Sequence, residues 1–374
     1  MRTGRVILLL LLLAALPASF SRAHASGAPP ARRTENVILV TYDGLRWQEV
    51  FTGAEEALLD KENGGVRDPE AIRKAFWRDT PEARREALLP FLWQVVAKEG
   101  QIFGNAAKGS SATLTNGRKF SYPGYNEILA GFGDPRIDSN RKNPNPNVTV
   151  LEWLDGKDAF RGRIAAFSEW DCMPFIVNEA RSGLLVNGGI EPLRGDGLTD
   201  REKLLNEVLL ETTWPHDDQR SDALTFLMGL AHFERTRPRV LYLSFGETDE
   251  WAHEGRYDLV LRSARAIDGY LRRLWEVVQS MPEYEGKTSL VLTTDHGRGS
   301  GPKEWRDHGE KVEGAESIWI AVLGPDTPAL GERASAAAVT QGQVAATVAA
   351  LLGEDWCAAE PRAAKPIADA SGGR

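Results

Sequence analysis

Asn36–Tyr42 (NVILVTY) is an almost unbroken β-branched, apolar run that stops at Asp43-Gly44. A strand of that kind is buried on both faces, which a parallel sheet covered by helices on each side provides. Arg163–Ser168, Val240–Phe245 and Ser289–Thr294 repeat the pattern, and Ser317–Leu323 is a fifth run with weaker punctuation. Amphipathic stretches separate them. In Arg256–Ser280, Val260, Ala264, Ile267, Leu271, Leu274 and Val278 recur at steps of four and three before Met281-Pro282 ends the helix. Leu88–Glu99, Asp222–Glu234 and Gln341–Leu352 have the same character. The expected fold class is therefore α/β, a three-layer αβα sandwich with a mainly parallel central sheet. Asn140–Asn147 and Asn187–Asp200 are rich in turn formers and read as loops. No linker divides residues 36–355, which read as one domain with insertions, followed by a flexible tail over 356–374.

The N-terminus reads differently. Arg2 and Arg5 precede the apolar run Val6–Leu16, and Ala23-His24-Ala25 suits a small-x-small cleavage site. The run is about half of the roughly 20 residues a bilayer span needs, so residues 1–25 are expected to be a secretory signal peptide, with 26–35 a polar lead-in. Its loss removes Arg2, Arg5 and Arg22 and no acid, taking the formal charge from −8 to −11. That balance argues against a nucleic-acid polymer as partner, because such binding needs clustered Lys and Arg. A small anionic substrate remains compatible, since bound cations can meet its charge locally. Cys172 and Cys357 are the two cysteines, and their pairing is left open by sequence.

Acids and histidines gather at the strand ends. Asp43 follows the first strand, Asp249 and His253 follow the third, and Asp295-His296 follow the fourth, with His308 in the next loop. In open α/β sheets ligands bind beyond the carboxyl ends of the strands. Carboxylates brought together there would repel, and divalent cations relieve the conflict with carboxylate oxygen and imidazole as ligands. Taken singly, Asp43-Gly44 and Asp295-His296 also read as turns, and Asp249 with His253 as a helix-surface pair. His216 and His232 lack such placement. Ser121 lies at an apparent helix start with Pro123 in the first turn, where free N–H groups favour an anion; it is either a nucleophile or simply the helix cap.

The ordered set of strand-Asp, Ser before a helix, Asp-x-x-x-His, Asp-His-Gly and a late His resembles the alkaline phosphatase superfamily over about residues 36–353. The likeness is to its single-domain phosphatase and nucleotide pyrophosphatase/phosphodiesterase-like members. It implies that Asp249, His253 and His308 hold one divalent cation. Asp43, Asp295 and His296, with the Ser121 oxygen, would hold a second. Zinc is the expected ion and manganese the alternative. It implies a phosphoserine intermediate on Ser121, with Asn140 hydrogen-bonding a phosphoryl oxygen. Asp307, next to His308 in sequence, reads either as a partner that orients that imidazole or as a surface acid. Cys172-Met173-Pro174-Phe175-Ile176 lacks the Arg of the formylglycine sulfatase motif, and Arg136 is a poor match for the arginine that clamps monoesters. The function expected is exported hydrolysis of a small phosphoric ester. A diesterase or sulfate-ester hydrolase on the same site, or a non-catalytic anion-binding protein of this fold, are the alternatives. Substrate choice is expected in Asn140–Asn147 and Glu179–His216.

Overall fold

The computed structural model describes residues 32–371. The signal peptide expected over 1–25, and the start of the lead-in, lie outside the described residues. The strands are β1 (Asn36–Tyr42), β2 (Gln101–Phe103), β3 (Ala112–Thr113), β4 (Ile164–Ser168), β5 (Leu185–Gly188), β6 (Val240–Phe245), β7 (Thr288–Thr293), β8 (Ile320–Leu323), β9 (Gly331–Glu332) and β10 (Val339–Thr340). Eight of them form one sheet in the order β5-β4-β6-β1-β7-β8-β2-β9, and β10 pairs with β3 in a small second ladder. β5, β4, β6, β1 and β7 run parallel. β8 is antiparallel to β7 and to β2, so the fifth apolar run belongs to the sheet with its direction reversed.

Side-chain alternation divides the core into two layers. Ile38, Val40 and Tyr42 join Leu241, Leu243 and Phe245 on one face. They meet the apolar stripe of the Tyr257–Gln279 helix and the Asp222–Thr236 helix. Val37, Leu39, Val240 and Tyr242 point the other way, against the Ser121–Ala130 and Gln343–Leu351 helices. Both faces of the parallel strands are thus dry, which is why their sequences are apolar at every position. The fold is the three-layer α/β sandwich that the alternation of elements predicts.

Two expectations change, and the cysteine pairing that sequence leaves open is answered. Leu88–Glu99 is a helix interrupted by a π turn over Leu92–Val96. The segment after 356 is packed, with Trp356 and Ile367 buried. Trp356 donates its indole N–H to the Ala130 carbonyl at 2.9 Å, and Gln101 reaches the Asp369 carbonyl at 2.7 Å. A flexible tail over the described part of 356–374 is therefore not what forms: its apolar residues cover the Ser121–Ala130 layer without a helical period. Cys172 and Cys357 are both free, Cys172 buried in the second core layer. Among the described residues no helix is long and apolar enough to cross a membrane.

Candidate active site

The parallel strands all end on one edge, and the side chains that follow them converge there. Asp43, Asp295 and His296 are buried, each offering a ligand atom within 4.8 Å of the others. His296 Nε2 lies 3.2 Å from Asp43 Oδ1 and 3.5 Å from Asp295 Oδ2. The angles make no hydrogen bond, so all three atoms are buried without a partner. The other oxygen of each acid is satisfied: Gly44 N–H donates to Asp295 Oδ1 at 3.0 Å, and Tyr125 hydroxyl to Asp43 Oδ2 at 2.9 Å. Burial, then Asp43, pushes the Asp295 carboxyl well above the usual carboxylate range. Burial lowers the His296 pKa, but Asp295 and Asp43 outweigh it and raise it to about 9. The buried acids call for positive charge, from a proton held on His296 or from a cation.

A second trio, Asp249, His253 and His308, meets the same 4.8 Å limit. His253 Nε2 is 2.9 Å from His308 Nε2 and 3.2 Å from Asp249 Oδ2. Burial, then His296, lowers the pKa of both imidazoles, which leaves them neutral with lone pairs to give. His308 Nδ1 meets the Lys119 carbonyl at 3.0 Å, so that bond, rather than Asp307, orients the ring. The two trios adjoin, since the His296 and His308 rings stack with centroids 3.9 Å apart. Neither trio is a surface pair or a plain turn. Gly44 is pinned between them at φ +59, where a Cβ would lie 2.6 Å from Asp249 Oδ1.

Ser121 is bracketed by these groups. Two residues before it, Lys119 (φ +56) carries the carbonyl that meets His308. Three and four residues after it, Gly124 abuts the Asp295 backbone and Tyr125 touches Asp43. Ser121 is the first residue of the Ser121–Ala130 helix; the cap position is Phe120 and no side chain caps it. The reading of Ser121 as a helix cap therefore fails, and its hydroxyl is free of that duty. Asn140 stands beside this turn, its Oδ1 accepting from the Tyr122 N–H at 2.9 Å. Arg136 is spent elsewhere, on Asp134 and Asn147. His232 is buried in the core, and His216 pairs with Glu250 at 3.0 Å.

Arg298 and Tyr125 are site residues that sequence reading passed over. Arg298, buried beside the trios, donates to the Asp249 carbonyl at 3.1 Å and contacts its carboxylate. Burial lowers its pKa to about 9. Its signal is a charged residue directly after Asp295-His296-Gly297. For Tyr125 the signal is its place four residues after Ser121, on the same helical face.

Residues 58–351 match the family model of type I phosphodiesterase / nucleotide pyrophosphatase. No curated protein matches the sequence. Among solved structures, the chain is similar to the alkaline phosphatase PafA (TM-score 0.59, 10% identity, 91% of this chain and 100% of that one). It is similar also to BT1596, a 2-O GAG sulfatase (0.55, 12%, 91% and 75%), and to the phosphonate monoester hydrolase of Agrobacterium radiobacter (0.52, 12%, 91% and 78%). At those identities the likeness is one of fold.

Proposed function

Because the chain belongs to the type I phosphodiesterase / nucleotide pyrophosphatase family of the alkaline phosphatase superfamily, we propose that it is an exported, metal-dependent hydrolase of small phosphoric esters with Ser121 as its nucleophile. The observation that supports this most is the pair of adjoining three-ligand groups beside the turn that carries Ser121, a serine with no capping duty. The residues fit divalent cations: Asp43 Oδ1, Asp295 Oδ2 and His296 Nε2 are buried, convergent and without partners, an arrangement that costs free energy unless a cation joins it. Asp43, Asp295 and His296 would hold one ion, and Asp249, His253 and His308 the other. Mixed imidazole and carboxylate donors suit zinc, with manganese an alternative in the oxygen-richer group. When bound, such ions supply positive charge that makes a hydroxyl acidic and offsets charge on the phosphoryl oxygens.

The chain's own groups do the rest. The Ser121–Ala130 helix would present its positive end to the phosphoryl group with the Ser121 N–H left to donate, since Tyr122 N–H is taken by Asn140, Pro123 has none and Gly124 N–H bonds Phe120. Ser121 Oγ attacks phosphorus, forming a P–O bond as the bond to the leaving alcohol breaks. Water then cleaves the phosphoserine and restores the hydroxyl. Asn140, its Oδ1 held by Tyr122 N–H, has its amide Nδ2–H2 left to donate to a phosphoryl oxygen. Phosphodiesters are favoured over monoesters because Arg136, the nearest match for a clamping arginine, is tied to Asp134 and Asn147.

Ser121→Ala is expected to keep the fold and the metal while turnover of aryl phosphate and bis-aryl phosphate falls about a thousandfold or more. Steady-state assays beside metal analysis check this. Activity within a few fold of wild type would remove Ser121 from the mechanism.

A further inference from the structure

We propose that Lys119 is a positioning residue: its ammonium clamps the loop that carries His308 onto the turn that carries Ser121. It thereby sets how tightly the trio of Asp249, His253 and His308 holds a cation. One side chain then couples a metal ligand to the nucleophile.

The turn is held from the helix that follows it. Glu127, buried on the Ser121–Ala130 helix, accepts from the backbone N–H groups of Thr115 and Asn116. Asn116 Oδ1 in turn accepts from the N–H groups of Arg118 and Lys119, at 2.9 and 3.0 Å. Lys119 is fixed there at φ +56, a left-handed conformation that glycine takes freely and other residues take at a cost. Its carbonyl meets His308 Nδ1 at 3.0 Å. A carbonyl can only accept, so Nδ1 carries the ring proton and the Nε2 lone pair is left for the trio.

The loop after His308 has no such support of its own. Residues 309–314 are turns and none of them is buried, so apolar packing does not fix the segment. Hydrogen bonds must. Lys119 Nζ donates to the Val312 carbonyl at 3.1 Å and to Glu316 Oε2 at 2.8 Å. These acceptors lie four and eight residues past His308, so one ammonium ties two points of the loop to the nucleophile turn. The Lys119 side chain is 18% exposed, which leaves little water to compete for those bonds. The neighbouring Arg118–Glu310 pair is more exposed at both ends and contributes less.

This inference rests on the reading that each trio holds an ion, so affinity is measured rather than turnover. Zinc binding to the full chain is followed by chelator competition, with Lys119→Met, Glu316→Gln and Lys119→Arg beside the wild type. Lys119→Met and Glu316→Gln are each expected to weaken one of the two ions about tenfold and to leave the other within about twofold. Lys119→Arg, which keeps the cation, should retain most of the affinity. In a His308→Ala background, Lys119→Met should change nothing for the remaining ion. Both ions weakened alike, neither weakened, or an effect that persists in the His308→Ala protein would overturn the proposal. Wild-type protein that binds no zinc removes the two-ion reading and this inference with it. Two ions that ignore both Lys119→Met and Glu316→Gln sink this inference alone.

Discussion

Tyr125 stands one helical turn after Ser121 and hydrogen-bonds Asp43, so the turn that presents the hydroxyl also orients a carboxylate. Tyr125→Phe leaves Asp43 Oδ2 without its donor. A partner that fixes a ligand's orientation is worth about 10- to 100-fold in metal affinity. The variant is expected to bind zinc more weakly by that factor, read by competition with a chelator, while retaining its fold. His232 makes a different point at the same scale. It is buried with its ring 5.2 Å from Phe167, and burial, then Arg235, lowers its pKa to about 4. The unfolded chain, with a pKa near 6.5, takes up the proton first as pH falls. Stability is therefore lost between about pH 6.5 and 4, at up to about 1.4 kcal/mol per pH unit. His232→Leu should flatten that part of the stability curve in urea unfolding at pH 4.5 and 7. Equal slopes in both proteins would contradict the assignment. In sequence His232 sits on an apolar helical face away from any strand end, which reads as a packed or surface histidine rather than a ligand. For Arg298 the sequence shows a charged residue directly after Asp295-His296-Gly297, but not its partner, because Asp249 lies 49 residues earlier.

At the scale of elements, the site depends on how closely the Ser121–Ala130 helix approaches the end of β7. Gly124 makes that approach possible, since a Cβ there would lie 2.3 Å from the Asp295 carbonyl oxygen. The obstacle is backbone, so it cannot rotate away. Gly124→Ala should cost about 1–3 kcal/mol in thermal unfolding and shift Ser121 from its neighbours, lowering turnover more than the stability loss explains. The parallel strands were legible because burial on both faces demands an unbroken apolar run, and their ends then located Asp43, Asp249 and Asp295. β2, β5 and β9 lack that mark. They are two to four residues long and lie outside the five apolar runs, so register with longer neighbours defines them. The π turn at Leu92–Val96 escaped for a similar reason: the periodic pattern carries through it, and Asp268, accepting from the Phe91 and Leu92 N–H groups, marks where the helix changes.

Across the whole molecule, three of the five parallel strands, β1, β6 and β7, lead into the acids and histidines of two trios at one edge, with His308 added from the loop after β7. The closing segment after 356 completes the layer behind Ser121 through Trp356 and Ile367, a contribution hidden in the sequence by its short, aperiodic form. The account's central claim is that each trio holds its own divalent cation. Elemental analysis of purified, metal-saturated protein tests it most directly, with His308→Ala and His296→Ala alongside. Two ions per chain are expected in the wild type and one in each variant. A wild type that binds none, or two ions retained in both variants, would contradict it.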